Sequence, residues 1–217
     1  MARDFVRTSS QWILTGSPSL SSQMSISAWV KQTTTQSGAY PNGYQIICRQ
    51  INGPPTEINY AFFLRDGINL QWTTAASTYA GFVAGITNDT NWHHYAVAIN
   101  WSAGTYSISQ DQTVTTGSFT PSTPQTSASY VTNIGRLGGS SANEYINGQI
   151  AELAIWNAKI SDDEIRSLAD KFRPSSVRPQ SLVCYWPLVR DLKEIRAGNT
   201  MTNNGTTVAV HPPIYAA

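Results

Sequence analysis

The sequence predicts an all-β fold, a sandwich or barrel of short antiparallel strands. Three observations carry this. The dominant hydrophobic period is two, the spacing that puts alternate side chains on opposite faces of a strand. Turn residues recur about every 8–12 positions between the patterned segments. The connecting segments are built from Ser, Thr, Asn, Gly and Pro, and only 12% of the 217 residues are charged, about half the usual quarter.

The elements follow in order. Gln11–Leu14 opens the series. In Met24–Lys31, Met24, Ile26, Ala28 and Val30 share one face and Trp29 lies on the other. Tyr44–Ile51 is an apolar run. Glu57–Arg65 and Ile68–Thr74 flank Asp66-Gly67, a two-residue hairpin signal because both turn residues must reach positive φ. Trp92–Trp101 places Tyr95, Val97, Ile99 and Trp101 on one face and His94, Ala96 and Ala98 on the other. Ser102-Ala103-Gly104 turns it into Thr105–Gln110. Thr113–Phe119, Tyr130–Arg136, Ile146–Trp156 and Leu182–Val189 complete the set. Several strands are apolar on both faces, as expected where the outer face carries tryptophans or is covered. Gln32–Gly43, Gly117–Ser129 and Gly138–Glu144 read as long polar loops.

One helix is expected, over about 161–172. Ser161-Asp162-Asp163-Glu164 is a capping box, with Ile160 and Ile165 as its hydrophobic staple. The aspartates favour the positive end of the helix dipole, and Lys171 and Arg173 the negative end. Ile165, Leu168 and Phe172 recur at helical spacing, and Pro174 stops continuation. These charges are explained by the helix and carry no catalytic role.

Composition excludes several classes. Seven Trp, ten Tyr and six Phe with a formal net charge of +1 oppose disorder. No apolar run reaches the roughly 20 residues that span a bilayer. The balanced charge argues against nucleic acid as a partner, and membrane is not expected either. Met1-Ala2-Arg3-Asp4 leads into patterned sequence with no apolar signal core, so no signal peptide is expected. Cys48 and Cys184 sit in strand-like runs and read as buried free thiols; a single bridge is the alternative.

Three segments in fixed order then resemble a known family. They are Ser25–Lys31 around Trp29; Trp92–Ile99, with Trp92 and His94; and Ile134-Gly135 followed by Ile146–Asn157, with Gly148, Glu152 and Trp156, running into the Ser161–Glu164 cap. Residues 5–172 resemble a laminin-G-like, concanavalin A-like lectin domain. The resemblance implies an antiparallel jelly-roll sandwich of two curved sheets. Leu182–Leu188, with Trp186, resembles the strand that usually opens such domains, although here it comes last. The chain is therefore expected to be one domain over 1–217, circularly permuted relative to the usual order. In it, 1–172 form the main sandwich, and strand 182–189 of segment 173–217 returns to lie antiparallel beside Ile150–Trp156.

Site candidates are few. Retaining glycosidases need two carboxyls about 5 Å apart. The five glutamates, Glu57, Glu144, Glu152, Glu164 and Glu194, have no acidic partner at even spacing on a strand, so no catalytic residue is assigned. His93 and His94 point to opposite faces, and the resemblance makes His94 a hydrogen-bonded core histidine. Calcium binding at a loop rim, which the resemblance implies for many members, would fall to Asn88, Asp89 and Asn91; no other cofactor is expected. Sugar stacking would use Tyr40, Trp72, Tyr79 or Trp101, each of which also reads as core or rim packing.

The leading expectation is a non-catalytic interaction protein, an accessory component of a phage particle that decorates a capsid or belongs to a tail or fibre. It would be assembled in the host cytoplasm and displayed on the virion surface, with capsid or other virion proteins, or copies of itself, as partners. The alternative is a carbohydrate-binding lectin for adhesion. A glycoside hydrolase is the weakest reading. The neutral surface predicts contacts with little salt dependence.

Overall fold

The computed structural model describes residues 1–35, 44–51, 57–74, 78–127, 129–137 and 144–214, with the backbone alone over 78–84. Its strands form two antiparallel sheets. The first runs β10 (Thr113–Ser118), β9 (Thr105–Gln110), β8 (Trp92–Asn100), β3 (Gln23–Gln32), β12 (Gly148–Trp156), β1 (Ala2–Phe5) and β15 (Thr207–Ala209). The second runs β14 (Thr202–Asn204), β2 (Trp12–Thr15), β11 (Tyr130–Ile134), β4 (Tyr44–Ile51), β5 (Ile58–Leu64), β6 (Gly67–Thr73) and β7 (Thr78–Ala84). A further strand, β13 (Leu182–Trp186), pairs antiparallel with β12. This is the two-sheet sandwich that the alternation predicts.

The core lies between the sheets. Ile26, Val97, Ile99 and Ile155 of the first sheet meet Ile13, Tyr60, Phe62 and Leu70 of the second, all buried. Alternation leaves a second apolar face on the outside of the first sheet, and two devices cover it. At one end Ala96, Ala98 and Ala154 present only methyl groups, so a helix can approach closely. The helix α1 (Asp162–Ala169) sets Ile165 and Leu168 there beside Trp156. At the other end Trp29, Ala2 and Ala151 cluster with Trp92, Ala209 and Ile214.

The capping box forms as expected: Ser161 Oγ accepts from Glu164 N–H at 3.2 Å and Glu164 Oε2 accepts from Ser161 N–H at 2.7 Å. The helix is shorter than the pattern predicts. Asp170 is its C-cap and Lys171 turns left-handed (φ 73°), so the chain leaves the helix well before Pro174. Phe172 is consequently 48% exposed rather than part of the apolar stripe. The Asp66-Gly67 turn holds three residues, not two, because Leu64 pairs with Ile68. Four further strands, β1, β7, β14 and β15, lie outside the segments in which alternation predicts strands.

The C-terminal segment closes the sandwich. β13 lies along β12 with Trp186 opposite Leu153, and β1 continues along the same edge with Arg3 opposite Ile150. Two segments from opposite ends of the sequence thus lie end to end beside one strand. Beyond them, β14 joins β2 in the second sheet and β15 joins β1 in the first, so one short turn at Gly205-Thr206 clips both sheets. Asn203 holds that turn, its Oδ1 accepting from the Thr206 N–H and hydroxyl. Trp186 is fully buried, and its Nε1–H donates to Thr15 Oγ1 at 3.3 Å.

Both cysteines are buried and neither forms a disulfide. Cys184 belongs to the inter-sheet core, where burial pushes its thiol up to about 12. Cys48 packs with Ile58, Ala61 and Phe63 on the outer face of the second sheet.

Candidate functional site

The inner face of the first sheet is apolar until it reaches its edge hairpin. There Ile108 stands opposite Thr115 and Gln110 opposite Thr113, so hydroxyls and an amide replace the aliphatic side chains. The core stops short at this point and a cleft of about 180 Å³ opens between the sheets. Ile86 makes its apolar floor, backed by the fully buried Ile68 and Ile108, and Thr87, Gln110, Thr113 and Thr115 supply its polar walls. A second hollow of about 120 Å³ shares Gly85 and Ile86 and extends to Asp66, Gly67 and Asn88. Gln110 fixes the rim: its Oε1 accepts from Thr87 N–H at 2.7 Å and its Nε2–H donates to Thr87 O at 2.8 Å.

The rim loop is tied down by a histidine between two carboxylates. His93 Nδ1 meets Asp111 Oδ2 at 2.7 Å, and its Nε2 meets Asp89 Oδ1 at 3.0 Å. Asp111 Oδ1 also accepts from His94 N–H at 2.8 Å. Asp89 Oδ1 accepts from Asn91 N–H at 2.7 Å, and its other oxygen from Asn91 Nδ2–H. Asp89 is therefore held below its ordinary pKa, first by the Asn91 N–H and then by His93. For His93, partial burial pulls the pKa down, but the hydrogen bonds to Asp111 and Asp89 outweigh it and leave it raised above 6.5. The clasp contributes stability fully below the unfolded-state pKa and loses it as pH rises through the raised folded value. An NMR titration of the His93 ring is expected to give a midpoint above 6.5, with Tm falling as the ring deprotonates; His93→Gln should remove that slope. A midpoint at or below 6.5 would contradict the clasp.

The calcium candidates Asn88, Asp89 and Asn91 do lie at this rim. Asp89, however, spends both oxygens on His93 and Asn91. Among the described residues no group of three or more His, Cys, Asp or Glu side chains is arranged to hold a metal ion.

Two of the sugar-stacking candidates are displaced from any surface. Trp72 is 1% exposed and Trp101 is fully buried. They meet edge-on at 6.3 Å, and Phe119 tilts against Trp72 at 5.0 Å. Their rings belong to the core, with no face open to a ligand. Tyr40 and the Tyr79 side chain lie outside the described residues. His94 also departs from expectation. Burial holds its pKa down at about 3, Trp29 lies 5.6 Å away, and neither ring nitrogen has a hydrogen-bond partner among the described residues.

Every glutamate has a structural occupation. Glu57 accepts from the Tyr130 hydroxyl, and Glu144 is buried against Arg65 at 3.5 Å. Glu164 serves the helix cap and a two-point contact with Arg178. Glu194 accepts four backbone N–H groups, from Tyr185, Arg196, Ala197 and Asn199. Glu152 occupies the extra position of a β-bulge at φ 52°, where Ala151 and Ala154 pair with Trp29 and Ser27. Its buried carboxylate takes the Tyr185 hydroxyl on one oxygen and His211 Nε2 on the other. The contact ties the C-terminal tail to the sheet. Burial first, and the neighbouring Glu152 charge second, raise the Tyr185 phenol far above its ordinary value.

A laminin-G family model, described as the concanavalin A-like lectin/glucanases superfamily, matches residues 7–166. The chain belongs to this superfamily. No curated protein matches it. Solved structures share the sandwich at low identity. A Bacteroides ovatus protein proposed to bind carbohydrate superposes with a TM-score of 0.68 at 15% identity, over 99% of this chain and 61% of its own. The chain thus spans about three fifths of that protein. The CBM40 domain of a Ruminococcus gnavus IT-sialidase, bound to α2,3-sialyllactose, gives 0.58 at 12% identity, covering 70% of this chain and 84% of its own. Domain 4 of AbnA, a GH43 extracellular arabinanase from Geobacillus stearothermophilus in complex with arabinotriose, gives 0.51 at 18%, covering 69% and 68%. At these identities the shared property is the fold.

A broader hollow of about 550 Å³ lies at Ser17, Pro18, Leu182, Val183, Arg196, Ala197 and Asn199. Its hydrogen-bonding groups are committed: Arg196 donates to Leu182 O and Pro179 O, and Asn199 to Cys184 Sγ. The Gly85–Asn91 rim combines an apolar floor with several hydroxyls, and it is the better candidate site.

Proposed function

We propose that the protein is a non-catalytic carbohydrate-binding module whose ligand site is the cleft beside the Gly85–Asn91 rim. The observation that carries this reading is the junction of an isoleucine floor with the Thr87, Thr113 and Thr115 hydroxyls, between sheets of a lectin-type sandwich. A pyranose presents the same alternation, with C–H patches and hydroxyl edges. The named relatives, two of them in complex with oligosaccharides, support a binding role. The engagement of all five glutamates in structural contacts supports a non-catalytic one. The particle-protein expectation has no counterpart in those relatives, so the lectin alternative becomes the leading reading.

A glycan array followed by NMR titration tests the site. Binding of a defined oligosaccharide should shift the backbone amides of Thr87, Gln110, Thr113 and Thr115. Shifts confined to any other face would remove the site, and an array without hits would remove the function.

A further inference from the structure

We infer that the rim cleft accepts uncharged glycans and excludes acidic ones, those carrying sialic or uronic acid. This rests on reading the cleft as a sugar site. Every charged side chain that could line it is described, because the residues outside the description carry no Lys, Arg, Asp, Glu or His. The only charged side chain lining either hollow is the carboxylate of Asp66, exposed at the tip of the β5–β6 turn. Asp111 follows the lining residue Gln110, and Asp89 follows the lining residue Asn88. These two carboxylates face the single imidazole of His93, so the group stays net negative even with His93 protonated.

No cation offsets them within the lining. Arg65, beside Asp66 in the chain, turns away: its guanidinium lies 5.2 Å from the Phe63 ring centre and pairs with Glu144 at 3.5 Å. A sugar carboxylate entering the cleft would lose water and meet like charge with no donor cation. A neutral sugar needs only hydroxyl and amide partners. The same fold carries sialyllactose in the CBM40 domain, so specificity here resides in the side chains and not in the sandwich.

The test presents matched probes to the full chain: lactose against 3′-sialyllactose, and neutral arabino- and xylo-oligosaccharides against glucuronic-acid-substituted xylo-oligosaccharides. In each pair that binds, the acidic member is expected to bind at least about tenfold more weakly. Asp66→Asn should narrow that gap severalfold. Asparagine tolerates the left-handed conformation at this turn, where φ is 54°, so the variant should retain the wild-type Tm. An acidic member that binds as tightly as its neutral partner overturns the inference while leaving sugar binding intact. A gap that Asp66→Asn leaves unchanged overturns its electrostatic origin. Binding of none of these sugars, nor of any on the wider array, overturns the reading of the site itself.

Discussion

Deletion of residues 173–217 is expected to abolish the folded state. The segment contributes Cys184, Trp186 and Leu188 to the core between the sheets. It also supplies β13 beside β12, β14 beside β2 and β15 beside β1. Without it Thr15, Leu153 and the outer edge of β12 would face water. The fragment 1–172 should lack near-UV circular dichroism and dispersed amide signals and should be digested rapidly. Trp186→Ala in the full chain is the graded version. Truncating a fully buried tryptophan costs about 3–5 kcal/mol, or roughly 6–20 °C in Tm for a domain of this size. A fragment 1–172 with native-like dispersion would mean that the C-terminal segment is an appendage.

Gly148→Ala is expected to be strongly destabilising for a single added methyl group. Gly148 pairs with Gln32 on one side and Phe5 on the other, at the start of β12. A Cβ there would lie 2.2 Å from the Lys31 carbonyl oxygen and 3.1 Å from the Gln32 Cα. Both are backbone atoms of the neighbouring strand, so no rotamer change relieves the clash. The cost should reach about 3 kcal/mol or more, because β3 and β12 must separate locally. Gly198→Ala is the matched control. A Cβ at Gly198 meets nothing within 4 Å, and only its φ of 71° opposes the change. That variant should lose about 1 kcal/mol. Chemical denaturation of both proteins checks the contrast, and equal losses would refute the steric account.

These expectations show which parts of the molecule are legible in one dimension. The strands β3, β8 and β12 are readable because each is a patterned run of nine or ten residues, although the bulge at Glu152 breaks the period of β12. The helix start was readable because a cap is a local device. Burial of Trp101 was also available: it continues the Tyr95, Val97, Ile99 face, and that face is the core. Trp72 likewise follows Ile68 and Leu70 at even spacing. For both tryptophans the structure favours the core packing that this periodicity implies over sugar stacking. The cleft had a quieter signal in Thr113 and Thr115, polar residues on the inner face of an edge strand. The Asp111–His93 contact needed the hairpin register, since Tyr95 opposite Gln110 is what brings Asp111 back beside His93. The three-residue strands β14 and β15 are largely exposed and too short to show a period, and they exist only through their partners. Glu152 reads as a strand residue in the sequence, and only the bulge explains its turn toward Tyr185 and His211.

The edge shared by β1 and β13 has a consequence in time. β1 precedes both of its partners in the chain by a long way, since Arg3 pairs with Ile150 and Val208. This strand therefore has no neighbour until β12 has been made, and it keeps one open edge until β15 follows. Pairings of such long sequence separation are slow to form, and an unpaired edge is exposed to other chains meanwhile. In this protein the hazard falls on β1, which gains its first neighbour only with β12 and its second only with β15.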